Sequence, residues 1–146
     1  NWGLIWCLIS LCLLASKIYK QIGVMTLCSL LLCTALGEGV IKNLIARPRP
    51  FVSVPILNML IKLPLSYSFP SVHTASAFAC AGILATSFKK YTLPLYALAI
   101  SIAFSRMYLY VHYPTDILGG IFLGVICAKL VLIMTPHINN YTRRNL

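Results

Sequence analysis

Long runs of apolar residues, separated by short polar gaps, make up most of the sequence. The runs cover residues 1–16, 21 to about 45, 74–88, about 91–110 and 116 to about 135. A helix of about 20 residues crosses a hydrocarbon core roughly 30 Å thick, so this pattern predicts five transmembrane helices, of which the first is short. We therefore expect an all-α fold, a polytopic transmembrane helical bundle.

The gap between the second and third runs has a different character. Two prolines within Ala46-Arg47-Pro48-Arg49-Pro50 cannot continue a helix, so the second helix should end there. Residues 51–69 then mix prolines with short apolar stretches and Lys62, a pattern that predicts a short interfacial helix or loop. Its apolar side chains, expected to face lipid, are Phe51, Ile56, Leu57, Met59, Leu60 and Leu63.

The composition agrees with a membrane protein. The chain has 146 residues, of which 60% are hydrophobic and 10% charged, and its mean hydropathy is +0.88. This is too apolar for a soluble domain of this length, and we expect a single domain over residues 1–146. The sequence opens at Asn1 inside an apolar run, so we expect an earlier segment and a sixth span in the full-length protein.

The net charge of +10 raises the question of nucleic acid, but the basic residues lie in short gaps and form no stripe. Anionic lipid headgroups or a phosphorylated substrate at the membrane surface explain cations at helix ends more simply, so membrane lipids, and not nucleic acid, are the expected partners. One face of the bundle would carry Lys17, Lys20, Lys89, Lys90, Arg143 and Arg144.

The opposite face has two further cations once Lys42, Arg49 and Arg106, the candidate site residues discussed below, are set aside. They are Arg47, which we expect to contact headgroups, and Lys62. By the positive-inside tendency, the face with six cations is cytoplasmic. The protein is therefore expected in the cell membrane as a multi-pass protein, with its functional site on the extracytoplasmic face, periplasmic or outer.

The sequence offers little to bind a metal or a nucleotide. The six cysteines lie inside apolar runs without Cys-x-x-Cys spacing, so we interpret them as small buried hydrophobic residues. Glu38 and Asp116 are the only acids, which leaves a two-metal phosphatase site without the carboxylates it needs. No glycine-rich loop ends in Lys-Ser or Lys-Thr. No metal and no cofactor is expected.

Polar residues interrupt the apolar pattern in three patches. The patches are Lys42 with Arg49, Ser71 with His73, and Arg106 with His112 and Asp116. The second and fourth runs end at a patch, and the third and fifth begin at one, so alternating helix direction brings all three to one membrane face. The cations can hold phosphate oxygens, and Ser71 with the free N–H groups of a helix start can bind an anion. One histidine can attack phosphorus while the other protonates the leaving alcohol.

The third patch also has the spacing of an oriented histidine. Pro114 and Thr115 predict a helix start, with Thr115 as the cap and Asp116 in the first turn. A carboxylate four residues after His112 can fix the tautomer of the imidazole and raise the basicity of its other nitrogen. A purely structural hydrogen-bonded pair is the alternative.

Several other residues have a simple structural explanation. Glu38, four positions before Lys42, predicts an ion pair on one helix face, which does not exclude a binding role for Lys42. His137 is expected to be solvated in a polar tail. An interfacial aromatic belt is expected from Tyr108, Tyr110 and Tyr113.

The patches also match known motifs. The first runs from Lys42 over six residues to Arg49-Pro50, the second is Pro70-Ser71-Val72-His73, and the third comprises Ser105-Arg106, His112 and Asp116. With these motifs in order, the chain resembles the type 2 phosphatidic acid phosphatase (PAP2) family of integral membrane lipid phosphatases. The resemblance covers residues 42–116 and the surrounding helices, and family members commonly have six spans.

The resemblance implies a role for each motif residue. It implies that His112 is the nucleophile that forms a phosphohistidine, that Asp116 orients it, and that His73 protonates the leaving group. The implied phosphate-binding residues are Lys42, Arg49, Ser71, Val72 and Arg106. Val72 departs from the family pattern, which usually has glycine, and its side chain is expected to restrict how closely the backbone approaches phosphate.

The expected activity is hydrolysis of a phosphomonoester or diphosphate lipid without metal. The candidate substrates are phosphatidylglycerol phosphate, phosphatidic acid and undecaprenyl diphosphate, and the motif residues do not separate them because they contact only the phosphate. Selectivity is expected from residues 51–69 and the lipid-facing grooves. The alternatives are a lipid phosphotransferase and a noncatalytic lipid-phosphate binding or transport protein, although His73, His112 and Asp116 together argue against the latter.

Overall fold

The computed structural model describes residues 2–53 and 64–135, and the regular elements of these residues are helices. The prediction of an all-α fold is confirmed. The helices are α1 (Trp2–Ala15), α2 (Lys20–Thr34), α3 (Lys42–Ile45), α4 (Pro50–Ser53), α5 (Val72–Ser87), α6 (Thr92–Tyr108) and α7 (Pro114–Met134). A π-helical segment, Ala35–Ile41, joins α2 to α3, and a 3₁₀ turn, Lys89–Tyr91, precedes α6.

The five predicted runs correspond to α1, to α2 continued through the π-helical segment into α3, and to α5, α6 and α7. Helix α7 starts at Pro114, with Tyr113 at the N-cap, so the prediction that Thr115 caps this helix was wrong. Proline suits the first helical position because the missing N–H would have no partner there. Asp116 lies in the first turn, as predicted.

Two helical stretches among the described residues are long and apolar enough to cross a membrane, within Lys20–Val52 and Pro114–Met134. Leu4–Ala15 and Val72–Ser87 are shorter apolar helices. The count of five spans therefore stays a prediction from the sequence, as does the single domain.

Helix α5 lies at the centre of the bundle. It packs against α1, α2, α6 and α7, and its many small residues are buried almost all the way round. Its contact with α7 is especially close, because a Cβ added at Gly120 would lie 2.5 Å from the backbone oxygen of Ser71, and one added at Gly124 would clash with that of Ala75. The two helices approach closely at these two glycines, and this contact fixes the start of α5 against the start of α7.

The end of the bundle remote from α3 carries basic residues. The rings of Tyr19, before α2, and Phe88, after α5, meet edge to face with centroids 5.4 Å apart. Lys17 and Lys20 at the first junction therefore lie on the same side as Lys89 and Lys90 at the second. The polar patches lie at the other ends of these helices.

The helix formed by the second run ends at Ile45, before the prolines are reached. Ala46 closes α3 in the left-handed conformation, with φ 49°, and the chain turns there before Pro48. The backbone N–H of Ser68 donates to the backbone oxygen of Arg47 over 2.9 Å. This bond holds residues 64–71, the returning segment that leads into α5, against the turn. Of the predicted interfacial element at 51–69, residues 54–63 lie outside the described part of the chain, as does His137.

The cysteines are divided between core and surface. Cys33, Cys80 and Cys127 are buried, while Cys12 and Cys28 are exposed. Cys7 is partly buried, so the prediction that all six are buried is confirmed for three of them and wrong for Cys12 and Cys28. In a membrane helix an apolar side chain facing outward meets lipid, so hydrophobic sequence alone does not separate the inner from the outer surface.

Candidate active site

The predicted polar patches meet where α3 and α6 end and α5 and α7 begin. The backbone N–H of Ser71 donates to the backbone oxygen of Asp116 over 3.0 Å, which joins the second patch to the third. The guanidinium of Arg49 donates to the backbone oxygen of Val111 over 2.9 Å, next to His112, which joins the first patch to the third. The three patches thus form one cluster at one end of the bundle, as helix direction predicted.

Lys42 and Arg49 are buried cations whose head groups converge on one oxygen. Nζ of Lys42 lies 3.1 Å from Oγ of Ser66, and Nη2 of Arg49 lies 3.2 Å from the same atom. Nε of Arg49 also donates to the backbone oxygen of Ser66 over 2.7 Å. Nζ of Lys42 donates to Oε1 of Glu38 over 2.6 Å, so the predicted ion pair is confirmed.

The contact between Arg49 and His112 defines the tautomer of the histidine. Nη1 of Arg49 lies 3.3 Å from Nε2 of His112. A guanidinium can only donate, so Nε2 is the acceptor and carries no proton. The ring proton is then on Nδ1, which lies 3.5 Å from Oδ2 of Asp116. The lone pair of Nε2 therefore lies beside a buried cation, and Nδ1 points toward the carboxylate.

The separation of Nδ1 and Oδ2 is longer than a good hydrogen bond, and Nδ1 has no hydrogen-bond partner among the described residues. The carboxylate of Asp116 is fully buried and is held by other donors. Oδ2 accepts from the hydroxyl of Ser68 and, over 2.8 Å, from the backbone N–H of Tyr113. Oδ1 accepts from Nη1 of Arg47 over 2.8 Å. Asp116 is thus held in place independently of His112.

Arg47 was predicted to contact lipid headgroups, and this was wrong for its guanidinium. Besides Asp116, Nη1 donates to the hydroxyl of Thr115 over 2.6 Å, and the guanidinium carbon lies 4.1 Å from the centroid of the Tyr113 ring. The planar group suits both contacts, since it stacks on an aromatic face while its edge donates hydrogen bonds. Tyr113 is therefore part of this site, whereas Tyr108 is an exposed ring, as an aromatic belt requires.

The start of α5 supplies backbone donors. The Ser71 hydroxyl is buried and accepts from the hydroxyl of Thr74 over 2.9 Å, and the helix begins at Val72. The side chain of Val72 is buried against Gly37, where an added Cβ would lie 2.5 Å from Cγ2 of Val72. A glycine in the π-helical segment thus makes room for the side chain that the family usually lacks.

His73 and Arg106 complete the cluster. His73 lies in the first turn of α5 with an exposed side chain, within range of the charges of Arg106, His112 and Lys42. Arg106 is buried in the last turn of α6, where its Nε lies 3.2 Å from the hydroxyl of Ser105. Two histidines and three cations therefore share one site.

His112 lies in the short connection between α6 and α7. Burial lowers the pKa of His112 below its usual range, and the nearby charges of Arg49 and Lys42 act in the same direction, while Asp116 opposes them. The imidazole is accordingly neutral near pH 7, the state in which its nitrogen lone pair is a nucleophile.

Three residues of the site were missed by sequence reasoning: Arg47, Ser66 and Ser68. Ser66 and Ser68 flank Tyr67 in the only part of residues 51–69 that carries closely spaced hydroxyls, and that local polarity was the available signal. Arg47 lies two residues before a motif arginine, but nothing in its own spacing indicates a contact with residue 116.

The structure defines an all-helical bundle in which buried cations surround an imidazole where helices begin and end, an arrangement suited to an anionic group. The particular family follows from comparison with known proteins. A model of the PAP2 superfamily matches residues 23–139, so the chain belongs to this superfamily. The resemblance drawn from the three motifs is confirmed.

Relatives of known name are similar over much of the chain. The bacitracin transport permease protein BcrC of Bacillus licheniformis is 38% identical over 92 residues, which are 62% of this chain and 45% of that protein. The undecaprenyl-diphosphatase of Sulfolobus acidocaldarius is 32% identical over 121 residues, which are 82% of this chain and 58% of that protein. The chain thus spans about half the length of these relatives.

Solved structures share the fold. The crystal structure of Aquifex aeolicus LpxE superposes with a TM-score of 0.74 and 30% identity, covering 85% of this chain and 73% of that one. The PAP2-type phosphatidylglycerolphosphate phosphatase of Bacillus subtilis gives a TM-score of 0.70 and 26% identity, covering 92% and 68%. The second is named a transmembrane PAP2-type phosphatase, which agrees with a membrane location for this chain.

Proposed function

We propose that the protein is an integral membrane lipid phosphatase that hydrolyses a phosphomonoester or diphosphate lipid through a phosphohistidine at His112. The observation that carries this proposal is the 3.3 Å separation between Nε2 of His112 and Nη1 of Arg49, which makes Nε2 the acceptor because a guanidinium can only donate. A nucleophilic nitrogen beside a buried guanidinium is what a phosphoryl group needs for attack and charge stabilisation at the same time.

Lys42, Arg49 and Arg106 are proposed to bind the nonbridging oxygens of the phosphate. Two of these cations already converge on the hydroxyl of Ser66, and a phosphate oxygen can take the place of that neutral acceptor with a stronger charge-assisted bond. Ser71 and the backbone N–H of Val72 add donors at the N-terminus of α5, where the helix dipole favours an anion.

In the first step, the lone pair of Nε2 attacks phosphorus and the P–O bond to the lipid breaks. The electron pair of that bond goes to the leaving oxygen, which takes a proton from His73, whose imidazolium form is favoured by the negative charge of the bound phosphate. The phosphorylated ring of His112 is then cationic, with its proton on Nδ1 facing Asp116. Because Asp116 is held by other donors, it is in place to stabilise the charge as it develops.

In the second step, a water molecule attacks the phosphorus of the phosphohistidine. Neutral His73 takes one proton of that water, the P–N bond breaks, and its electron pair returns to Nε2. Inorganic phosphate leaves, and both histidines recover their starting protonation states. General acid and general base are thus the same group, used in opposite directions.

The reaction is proposed to run without a metal ion. The whole sequence has two acids, and each is already paired, Glu38 with Lys42 and Asp116 with Arg47. A two-metal phosphatase site needs several free carboxylates. The cations of this site can supply the charge stabilisation that metals supply elsewhere.

The substrate is proposed to be a lipid whose acyl or prenyl chain enters sideways between helices while its phosphate meets the site. Undecaprenyl diphosphate is supported by the name of the Sulfolobus relative, and phosphatidylglycerol phosphate by that of the Bacillus subtilis structure. We propose that the site faces away from the cytoplasm, since Lys17, Lys20, Lys89 and Lys90 gather at the other end of the bundle.

The test is phosphate release by the purified full chain in detergent micelles. The panel comprises undecaprenyl diphosphate, phosphatidylglycerol phosphate and phosphatidic acid, each with and without a chelator. We expect at least one lipid to yield inorganic phosphate at an undiminished rate with chelator present. Loss of activity on chelation would contradict the metal-free mechanism.

The nucleophile is tested with His112→Ala and its matched control Lys89→Ala at the remote end of the bundle. His112→Ala should lose turnover while keeping the helical circular dichroism of the parent, and Lys89→Ala should keep both. A ³²P-labelled substrate should leave acid-labile label on the parent but none on His112→Ala. Phosphate release by His112→Ala would overturn the assignment.

The same panel separates the alternative functions. One relative is named a transport permease, so a noncatalytic binding or transport protein is the second candidate, and it would bind lipid phosphate without releasing phosphate from any lipid. A phosphotransferase would release phosphate slowly and yield a phosphorylated product when an alcohol acceptor is added.

A further inference from the structure

We propose that Arg47 is a positioning residue of the phosphoryl-transfer site, which acts on His112 through Asp116. This inference rests on the proposed function, because it assigns a part in the same reaction to a residue at a position that the first motif leaves unspecified. The juxtaposition that carries it is the ion pair between Nη1 of Arg47 and Oδ1 of Asp116, 2.8 Å apart, on the carboxylate whose other oxygen faces His112.

The ion pair joins a buried acid to a cation that is itself held in place. The side chain of Asp116 is 0% exposed and that of Arg47 is 34% exposed, so the carboxylate lies in a site where an unpaired charge is costly. Arg47 is restrained by the Tyr113 ring and by the hydroxyl of Thr115. Its guanidinium therefore fixes Oδ1 in direction as well as in charge.

With Oδ1 held by Arg47, the second carboxylate oxygen can face only one way. Oδ2 accepts from Ser68 and from the backbone N–H of Tyr113, and Nδ1 of His112 lies 3.5 Å away. Arg47 also holds the serine, since its backbone oxygen accepts from the backbone N–H of Ser68. One residue thus contributes a side-chain contact and a backbone contact to the same arrangement.

Arg47 also neutralises part of the negative charge of Asp116. A carboxylate whose charge is partly neutralised raises the proton affinity of His112 less than a free carboxylate does. The other charged or titratable groups of the site are Arg49 and Lys42 from the first patch, His73 on α5 and Arg106 on α6. Among the described residues, the side chain of Arg47 bonds to Thr115 and Asp116 and to none of these groups, so a change in the titration of His112 in an Arg47 variant reports on the path through Asp116.

The experiment measures the pH profile of kcat/KM for the full chain, with the parent compared to Arg47→Met. We expect Arg47→Met to lower kcat/KM by about tenfold to a hundredfold at neutral pH, since small misplacements of catalytic groups cost about this much. The acidic limb of its pH profile should shift to higher pH by about half a unit or more, because the charge of Asp116, no longer neutralised by Arg47, favours the imidazolium of His112. A role in stability alone would leave the limb where it is.

Further variants sharpen the result. Arg47→Lys keeps the cation and should restore the limb of the parent with an intermediate rate, because the planar stacking on Tyr113 is lost. Arg47→Gln is uncharged and polar and should shift the limb as Arg47→Met does, so it keeps the test decisive if the methionine variant fails to fold. Lys89→Met, which removes an exposed cation at the remote end, should behave as the parent.

Titration of His112 by NMR, with ¹³C-labelled histidine in the full chain, separates failure of this proposal from failure of the proposed function. If the parent hydrolyses no lipid, the proposed function fails, and an upward shift of the His112 titration in Arg47→Gln still supports the positioning role. An unmoved titration and an unmoved limb in both uncharged variants would overturn it. If the acidic limb of Arg47→Lys shifts as far as that of the uncharged variants, the positive charge of Arg47 is not the cause of the shift.

Discussion

The imidazole of His112 is a buried titratable group with two cationic neighbours and one anionic neighbour. Burial and the charges of Arg49 and Lys42 act against protonation, while Asp116 acts in its favour. The balance matters for chemistry because only the neutral ring has a free lone pair on Nε2. Residues that alter this balance should therefore move the pH dependence of the reaction, and not only its rate.

The first prediction concerns the acidic limb of kcat/KM for the parent protein. A lowered pKa means that His112 stays neutral until the pH falls below the ordinary histidine value of about 6.5. Activity should accordingly persist through that pH and be lost only in more acidic solution. Asp116→Asn removes the one group that favours protonation, so its limb should lie at still lower pH, with a slower maximal rate. A parent limb at or above the ordinary value would contradict the burial argument.

The second prediction concerns Glu38, which competes with phosphate for Lys42. Glu38→Gln keeps an acceptor near Nζ but removes the negative charge, so Lys42 can bind an anion more strongly. We expect the inhibition constant of inorganic phosphate to fall by about two- to fivefold, in line with the ~0.2–1 kcal/mol that partly exposed ion pairs contribute. Lys42→Met should raise the same constant. Inhibition that is unchanged in Glu38→Gln would show that the pair does not limit Lys42.

At the scale of whole elements, the π-helical segment between α2 and α3 meets the start of α5. Gly37 lies in that segment, and the side chain of Val72 fills the space beside it. Valine is rigid at its first side-chain torsion, so it has little freedom to move away from an added group. The two positions should therefore be coupled, although they belong to separate helices.

The third prediction follows from that contact. Gly37→Ala should destabilise the fold by about 1–3 kcal/mol, the usual cost of overpacking a core, and should lower activity by displacing the start of α5. Val72→Gly should relieve the clash, so the double variant should be more stable than Gly37→Ala alone. Thermal unfolding of the two single variants and the double variant tests this. Additive effects would mean that the two residues do not interact.

Gly39, two residues further along the π-helical segment, offers a matched control. A Cβ added at Gly39 meets nothing within 4 Å, so Gly39→Ala should not destabilise the protein through contact with α5. A loss of stability equal to that of Gly37→Ala would trace the effect to the backbone of the segment and not to Val72.

At the scale of the whole molecule, one end of the bundle carries basic residues and the other carries the candidate active site. Lys89 and the exposed Tyr108 lie at opposite ends of the bundle, before and at the end of α6. The positive-inside tendency then assigns each end to one side of the membrane. Orientation is a property of the entire bundle, since it depends on the sum of the loop charges.

The fourth prediction tests this orientation in intact cells. In a variant without native cysteines, Tyr108→Cys should react with a membrane-impermeant maleimide, whereas Lys89→Cys should react only after the membrane is permeabilised. The reverse pattern would place the site on the cytoplasmic side. Activity of each variant, measured in detergent, controls for correct folding.

Much of the fold could be predicted from the sequence because apolar runs and their breaks leave a direct signal. Helices α5, α6 and α7 end within about three residues of the predicted bounds, comparable with the uncertainty of helix ends themselves. The π-helical segment and the left-handed Ala46 could not be predicted. Both are details of backbone winding, decided by packing against α5 and the returning segment, and they have no signature in composition.

The site was predictable where helix direction brings a motif residue to the right end of the bundle. Arg47 was missed because its partner lies 69 positions away, and contacts at that separation depend on the path of the chain after the helix has ended. Ser66 and Ser68 were missed for the same reason. The motifs mark the residues that we propose to bind the phosphate, but not the residues that hold those side chains in place.

The carboxylate of Asp116 is bound from the turn after α3, from the segment before α5 and from the connection before α7. These stretches are distant in the chain and adjoin only after the helices have assembled. Catalytic competence should therefore be acquired late in folding and all at once. A fragment that retains His112 and Asp116 but lacks the first two stretches would contain the imidazole without the side chains that hold the Asp116 carboxylate toward it.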